Sequence, residues 1–167
     1  MYYRIFSIVV LAGLLITACS SGSDADIQIT NPWVRAAAMI PVDGTEMQPE
    51  GTQMGEGDMA HGSGANSAAF MVIENRSSLA DRLIAAESEV ANAVEIHLSQ
   101  MEGDVMVMRQ VNGVEIPARG KVELKPGSYH VMLIGIRSDL KPGDMVELSL
   151  LFERAPTETI QAEVRMP

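Results

Sequence analysis

This 167-residue chain predicts an all-β fold of short strands, a β-sandwich or barrel in a single domain. Three observations carry that expectation. Apolar and polar side chains alternate over short runs, as in Lys121-Val122-Glu123-Leu124 and Glu147-Leu148-Ser149-Leu150, the period of a half-buried strand. Turn signals punctuate the runs: in Lys125-Pro126-Gly127 and Lys141-Pro142-Gly143, proline presets φ and glycine supplies the positive φ that a tight turn needs. No long segment sustains a helical period. Regularly spaced short strands of this kind close into a sandwich or barrel.

In order, the β segments are expected at residues 27–30, 33–36, 68–74, 81–86, 93–98, 105–111, 121–124, 129–136, 145–152 and 158–164. Gly113 and Gly120 fit turns between them. Residues 85–93, rich in alanine, are expected to hold a short helical turn.

The segments before and between the strands are of a different kind. Residues 1–18 read as a secretion leader: Arg4 gives a weak positive start, and 5–16 is an apolar run. That run is shorter than the roughly 20 residues of a membrane-spanning helix. It ends in Ile16-Thr17-Ala18-Cys19, which resembles the lipobox of bacterial lipoproteins, so Cys19 is expected to be lipidated. The alternative is an ordinary leader or anchor with an incidental cysteine. Residues 19–26 then form a Ser/Gly-rich tether, and 27–167 the folded domain. Within it, residues 39–65 are rich in glycine and acid and carry Met39, Met47, Met54, Met59 and His61. Such a composition cannot build a core. Methionine, normally a core residue, is out of place there, so the segment reads either as a copper-capturing arm, with Cu(II) also conceivable as its ligand, or as an incidental insertion.

Charge and cysteine count exclude several functions. The chain holds 12 basic and 22 acidic residues; without Arg4 the basic count is 11 and the formal charge −11. So acidic a surface is a poor match for nucleic acid or anionic lipid, and membrane attachment is left to the lipid. One cysteine excludes an internal disulfide, a Cys-x-x-Cys pair and, beyond Cys19, a thiolate blue-copper site.

The most specific pattern is His97-x10-Met108-x21-His130-x-Met132. It holds two of the three histidines in the chain. Thioether sulfur is soft and uncharged and favours Cu(I); imidazole adds a nitrogen donor that also suits copper. Strand alternation puts His130 and Met132 on one face, with Val131 and Leu133 on the other. Glu95 and His97 likewise share a face opposite Val94, Ile96 and Leu98, so His97 is expected to look outward. Met106 shares a face with Met108, and Met101 follows His97 by four residues; both are auxiliary candidates. Met71, Met145 and Met166 read as structural.

That pattern resembles the signature of the periplasmic copper chaperones of the PCu(A)C type, without a gap. Val94-Glu95-Ile96-His97, Gly113-Val114-Glu115-Ile116-Pro117, Leu124-Lys125-Pro126-Gly127 and Asn31-Pro32-Trp33-Val34-Arg35 are also similar to that family. The resemblance spans roughly 27–164, and the 39–65 insertion looks long for the family. It implies a cupredoxin-like Greek-key β-sandwich, related in plan to the immunoglobulin fold. It also implies an accessible Cu(I) site on His97, Met108, His130 and Met132, and delivery of copper toward cytochrome oxidase. The expected function is therefore a non-enzymatic carrier, lipid-anchored in the periplasm or at the cell surface. It would pass Cu(I) by ligand exchange to an acceptor such as cytochrome c oxidase subunit II or a Sco-type thiol protein. Copper storage or detoxification is a variant; a cuprous oxidase and a metal-free structural lipoprotein are the rivals. Neutral imidazole is the binding form, so affinity is expected to fall as pH drops through the histidine range.

Overall fold

The computed structural model describes residues 27–39 and 65–166. The leader, Cys19, the tether and, within the insertion, Met47, Met54, Met59 and His61 lie outside the described residues. Ten strands follow in order: β1 (Ile27–Arg35), β2 (Ser67–Asn75), β3 (Asp81–Glu87), β4 (Ala91–Glu102), β5 (Val105–Gln110), β6 (Val114–Ile116), β7 (Gly120–Leu124), β8 (Tyr129–Ile136), β9 (Met145–Phe152) and β10 (Glu158–Arg165). No helix occurs among the described residues.

The strands join in one hydrogen-bonded path, β5-β4-β8-β2-β1-β10-β9-β3-β6, with β7 also paired to β2. Neighbours distant in sequence, such as β4 with β8 and β3 with β9, mark the crossovers of a cupredoxin-like β fold. One pair, β1 with β10, is parallel. The inward side chains meet in a single core, where Met71, Ile73, Leu83, Ile116, Leu133, Leu148 and Leu150 are fully or almost fully buried. Burying each such side chain contributes about 1.5–3 kcal/mol relative to exposure, and Val131 and Leu133 point into this core from β8 as their alternation requires.

The structure departs from the sequence expectation in three places. Residues 27–36 were expected as two strands; β1 is one strand carrying an irregularity between Thr30 and Trp33, where Asn31 takes a positive φ of 51° before Pro32. No helical turn forms over 85–93. Ala85 and Ala86 pair with β9, while Ala91 and Ala93 pair with β8, so sheet pairing overrides alanine's helix propensity. A three-residue strand, β6, was missed; it pairs with β3 and buries Val114 and Ile116. Of the methionines read as structural, Met71 is core, whereas Met145 and Met166 are exposed.

Candidate metal centre

Three adjacent strands bring the signature residues together. In the β4–β8 ladder His97 lies directly opposite His130, and Glu95 opposite Met132. In the β4–β5 ladder Ser99 lies opposite Met108. Directly opposed residues share a face, so His97, Ser99, Met108, His130 and Met132 occupy one outer face of the sheet. The core face of the same strands carries Ile96, Val131 and Leu133.

Met108, His130 and Met132 line one cleft of about 100 Å³, together with Arg35, Ser67, Ala68, Phe70, Ser99, Pro126 and Gly127, among others. His97 sits beside it, its ring centroid 5.8 Å from that of His130 and tilted by 53°. An imidazole nitrogen bonds such an ion at about 2.0 Å, so two rings sharing one ion have centroids within about 6 Å; the pair satisfies this bound. Of the other candidates, Met101 and Met106 lie one rung beyond Met108 and Ser99 and are exposed. Met39 is not among the residues that line the cleft; its backbone N–H donates to Asp139 Oδ1 at 2.9 Å.

His97 faces outward from the core as expected, yet it is only 7% exposed, and His130 only 3%. Each ring is fixed by a hydrogen bond. His97 Nε2 lies 2.7 Å from Glu95 Oε2. As the carboxylate can only accept, this places the proton on Nε2 and leaves Nδ1 as the lone-pair nitrogen. That Nδ1 is buried and without a hydrogen-bond partner, a situation costing about 1–3 kcal/mol unless something binds there. His130 Nδ1 lies 3.0 Å from the Ser128 carbonyl oxygen, so it donates, and Nε2 carries the free lone pair. Burial pushes His130 below the usual 6.5; the Ser128 carbonyl opposes this, and His97 and Arg35 add to it. The imidazole is thereby held neutral, the form that binds a metal.

An aromatic floor supports His130. Phe70 lies 6.2 Å from its ring, Trp33 stacks on Phe70 at 4.5 Å, and the Arg35 guanidinium stands 5.7 Å over the Phe70 ring. Sequence reasoning noted that Glu95 shares a face with His97 but gave it no role. The i, i+2 spacing was the available signal; the contact needs side-chain conformations that the pattern does not specify. Phe70 and Ser67 gave no signal. Among the described residues, no three His, Cys, Asp or Glu side chains gather as a metal site. The donors gathered on this face are imidazole nitrogen and thioether sulfur, a set that fits a soft ion.

Comparison with known proteins follows the same line. The chain matches the LpqE-like lipoprotein family over residues 27–164. A protein of Leifsonia xyli subsp. xyli, named as lipoprotein Lxx21020, is 26% identical over 89% of this chain and 76% of its own length. The uncharacterized protein RP573 of Rickettsia prowazekii is 27% identical over 60% of this chain and 56% of its own. Among solved structures, the copper-bound PCuAC domain from PmoF2 superposes with a TM-score of 0.57 at 26% identity, covering 84% of this chain and 93% of that domain. The CuI-DR1885 solution structure from Deinococcus radiodurans superposes with a TM-score of 0.53 at 26% identity, covering 89% and 85%.

Proposed function

We propose, from the premise that this chain belongs to the LpqE-like family of PCu(A)C proteins, that it is an extracytoplasmic copper carrier. In this reading it binds Cu(I) on His97, Met108, His130 and Met132 and releases it by ligand exchange. It is not an enzyme: the ion is cargo, not a resident cofactor. The observation that carries the reading is the convergence of the four residues on one face, with His97 opposite His130 and Met108 and Met132 lining the adjoining cleft. The copper-bound PmoF2 and DR1885 neighbours support it.

The geometry suits transfer. The two imidazoles are buried and each is held by a hydrogen bond, so they act as the fixed half of the site. Met108 is 47% exposed on the edge strand β5, so it is the mobile half. An incoming donor reaches the ion from the Met108 side, and a thioether leaves before an imidazole does. Two neutral thioethers and two neutral imidazoles add no charge, so the ion is held less tightly than by thiolates and can pass on. Acceptors of matching chemistry offer thiolate or imidazole, as cytochrome c oxidase subunit II and Sco-type thiol proteins do. Lipidation at Cys19 would keep the carrier at a membrane, consistent with its lipoprotein-named relative.

The test is an anaerobic Cu(I) competition titration of the chain from Ser20 onward, beside a His97→Ala/Met132→Ala variant. One tight equivalent, lost in the variant, is expected. Equal binding by the two proteins would remove the site from this face.

A further inference from the structure

We propose that Met101, Met106 and Met108 form a second, thioether-only Cu(I) site through which copper reaches the His97–His130 centre; this rests on the carrier reading above. Three observations on the β4–β5 hairpin point to it.

The first is register. Met101 is directly opposite Met106, and Met108 is opposite Ser99 on the next rung of the same face. Val111 N–H bonds to the Ile96 carbonyl outside the His97–Gln110 rung. Alternation along the ladder therefore makes 97–110, 99–108 and 101–106 the non-hydrogen-bonded rungs, where Cα atoms approach to about 4.5 Å and side chains lie closest. Two thioethers meet across one rung, and a third lies on the next rung at about 7–8 Å diagonal spacing, within reach of long side chains.

The second is exposure. Met101 is 56% exposed, Met106 54% and Met108 47%, whereas Met71 in the core is buried. The hairpin ends in a tight turn at Gly103 (φ 65°), so these side chains stand at the free tip of an edge. Ordinary edge strands present charge there. Here the charged side chains nearest the tip, Glu102 and Arg109, lie on the other face, where Glu102 is engaged by both Arg109 and Gln100; Glu95, which shares the methionine face, lies beyond His97 and is bonded to it. The two outer rungs of the methionine face carry Met101, Met106, Met108 and Ser99, with no cation among them.

The third is continuity. Met108 lines the cleft with His130 and Met132 while also belonging to the methionine cluster. An ion held by Met101, Met106 and Met108 moves inward by keeping Met108 and exchanging two thioethers for His97, His130 and Met132. Copper stays Cu(I) throughout, and neutral imidazoles release no proton, so the exchange needs no co-reactant. Softness alone selects Cu(I) for a site of thioethers.

The test uses the full chain in detergent micelles, labelled at methionine methyl carbons, titrated anaerobically with Cu(I) and read by NMR. Stopped-flow loading from a Cu(I) chelator is measured in parallel. The first equivalent is expected to shift Met108 and Met132, and the second Met101 and Met106, with the Met108 thioether shared between the two ions. Met101→Leu/Met106→Leu keeps the apolar surface and removes the sulfur. It is expected to bind the first equivalent as the wild type does, lose the second-site shifts, and load several-fold more slowly. Met101 and Met106 methyls that stay in place through two equivalents would overturn the proposal. So would a leucine variant that loads at the wild-type rate; that outcome would make the patch an apolar docking surface. Failure of Met108 and Met132 to shift with the first equivalent would instead overturn the carrier reading itself.

Discussion

Glu95→Gln isolates the contribution of the carboxylate that holds His97. The substitution keeps the shape of the side chain and removes its charge. The contact is short, 2.7 Å between Nε2 and Oε2, with the histidine side chain 8% exposed and the glutamate 28%. A hydrogen bond to a charged group contributes about 1.5–3 kcal/mol. Partial solvent access on the glutamate side puts this one near the lower end. A carboxylate on the far nitrogen also raises the basicity of the ligating nitrogen, and losing such a partner weakens metal binding by roughly 10–100-fold. Both estimates converge on about a tenfold loss of Cu(I) affinity. Competition titration against a calibrated Cu(I) chelator, at pH 7.5 and constant salt, measures it. A urea melt of the apo protein separates any loss of fold stability. Affinity within twofold of wild type, with stability unchanged, would refute the idea that Glu95 tunes His97.

Three further outcomes follow from the fold. His130 has a folded pKa below its unfolded value near 6.5, so unfolding takes up a proton in the window beneath 6.5. Its contribution to stability is complete above 6.5 and is lost as pH falls through the folded value; urea melts from pH 7.5 to 5 should show a steeper decline in the wild type than in His130→Asn. Asp81 is buried and accepts the N–H groups of Arg82, Arg154 and Ala155 at 2.7, 3.0 and 2.9 Å. Asp81→Ala strands those donors and should cost about 3 kcal/mol in a urea melt, without altering copper stoichiometry. Gly113 has φ 141°, and a Cβ there would stand 2.5 Å from the Leu83 carbonyl oxygen. Gly113→Ala should cost roughly 2–4 kcal/mol, from backbone strain and overpacking together, with unchanged thermal stability as the refuting result.

Much of the architecture was legible because it depends on local alternation. The faces of β8 follow from Tyr129-His130-Val131-Met132-Leu133 alone, and β7 and β9 from their period of two. What escaped depends on partners far along the chain. The three residues of β6 are too few to show a period, and β3 fixes them. The alanines at 85–93 favour helix locally, yet β8 and β9 claim them. At the site, the spacing predicted that four donors could converge, and the β4–β8 register shows His97 placed against His130. The deep burial of both rings was not legible, because it depends on strands such as β2, which ends 22 residues before His97 and further from His130. The Glu95–His97 bond escaped for another reason: strand alternation specifies a shared face but not a rotamer.

The course of β1 joins the start of the described domain to the cleft. Its first residue, Ile27, pairs with Asn75 at one end of the sandwich, and its last, Arg35, lines the cleft at the other. At about 3.3 Å per residue, eight steps of strand span roughly 26 Å. The described domain therefore begins at the end of β1 remote from the cleft, and the far end of the same strand supplies part of the cleft's floor and lining, in Trp33 against Phe70 and Arg35 over the Phe70 ring.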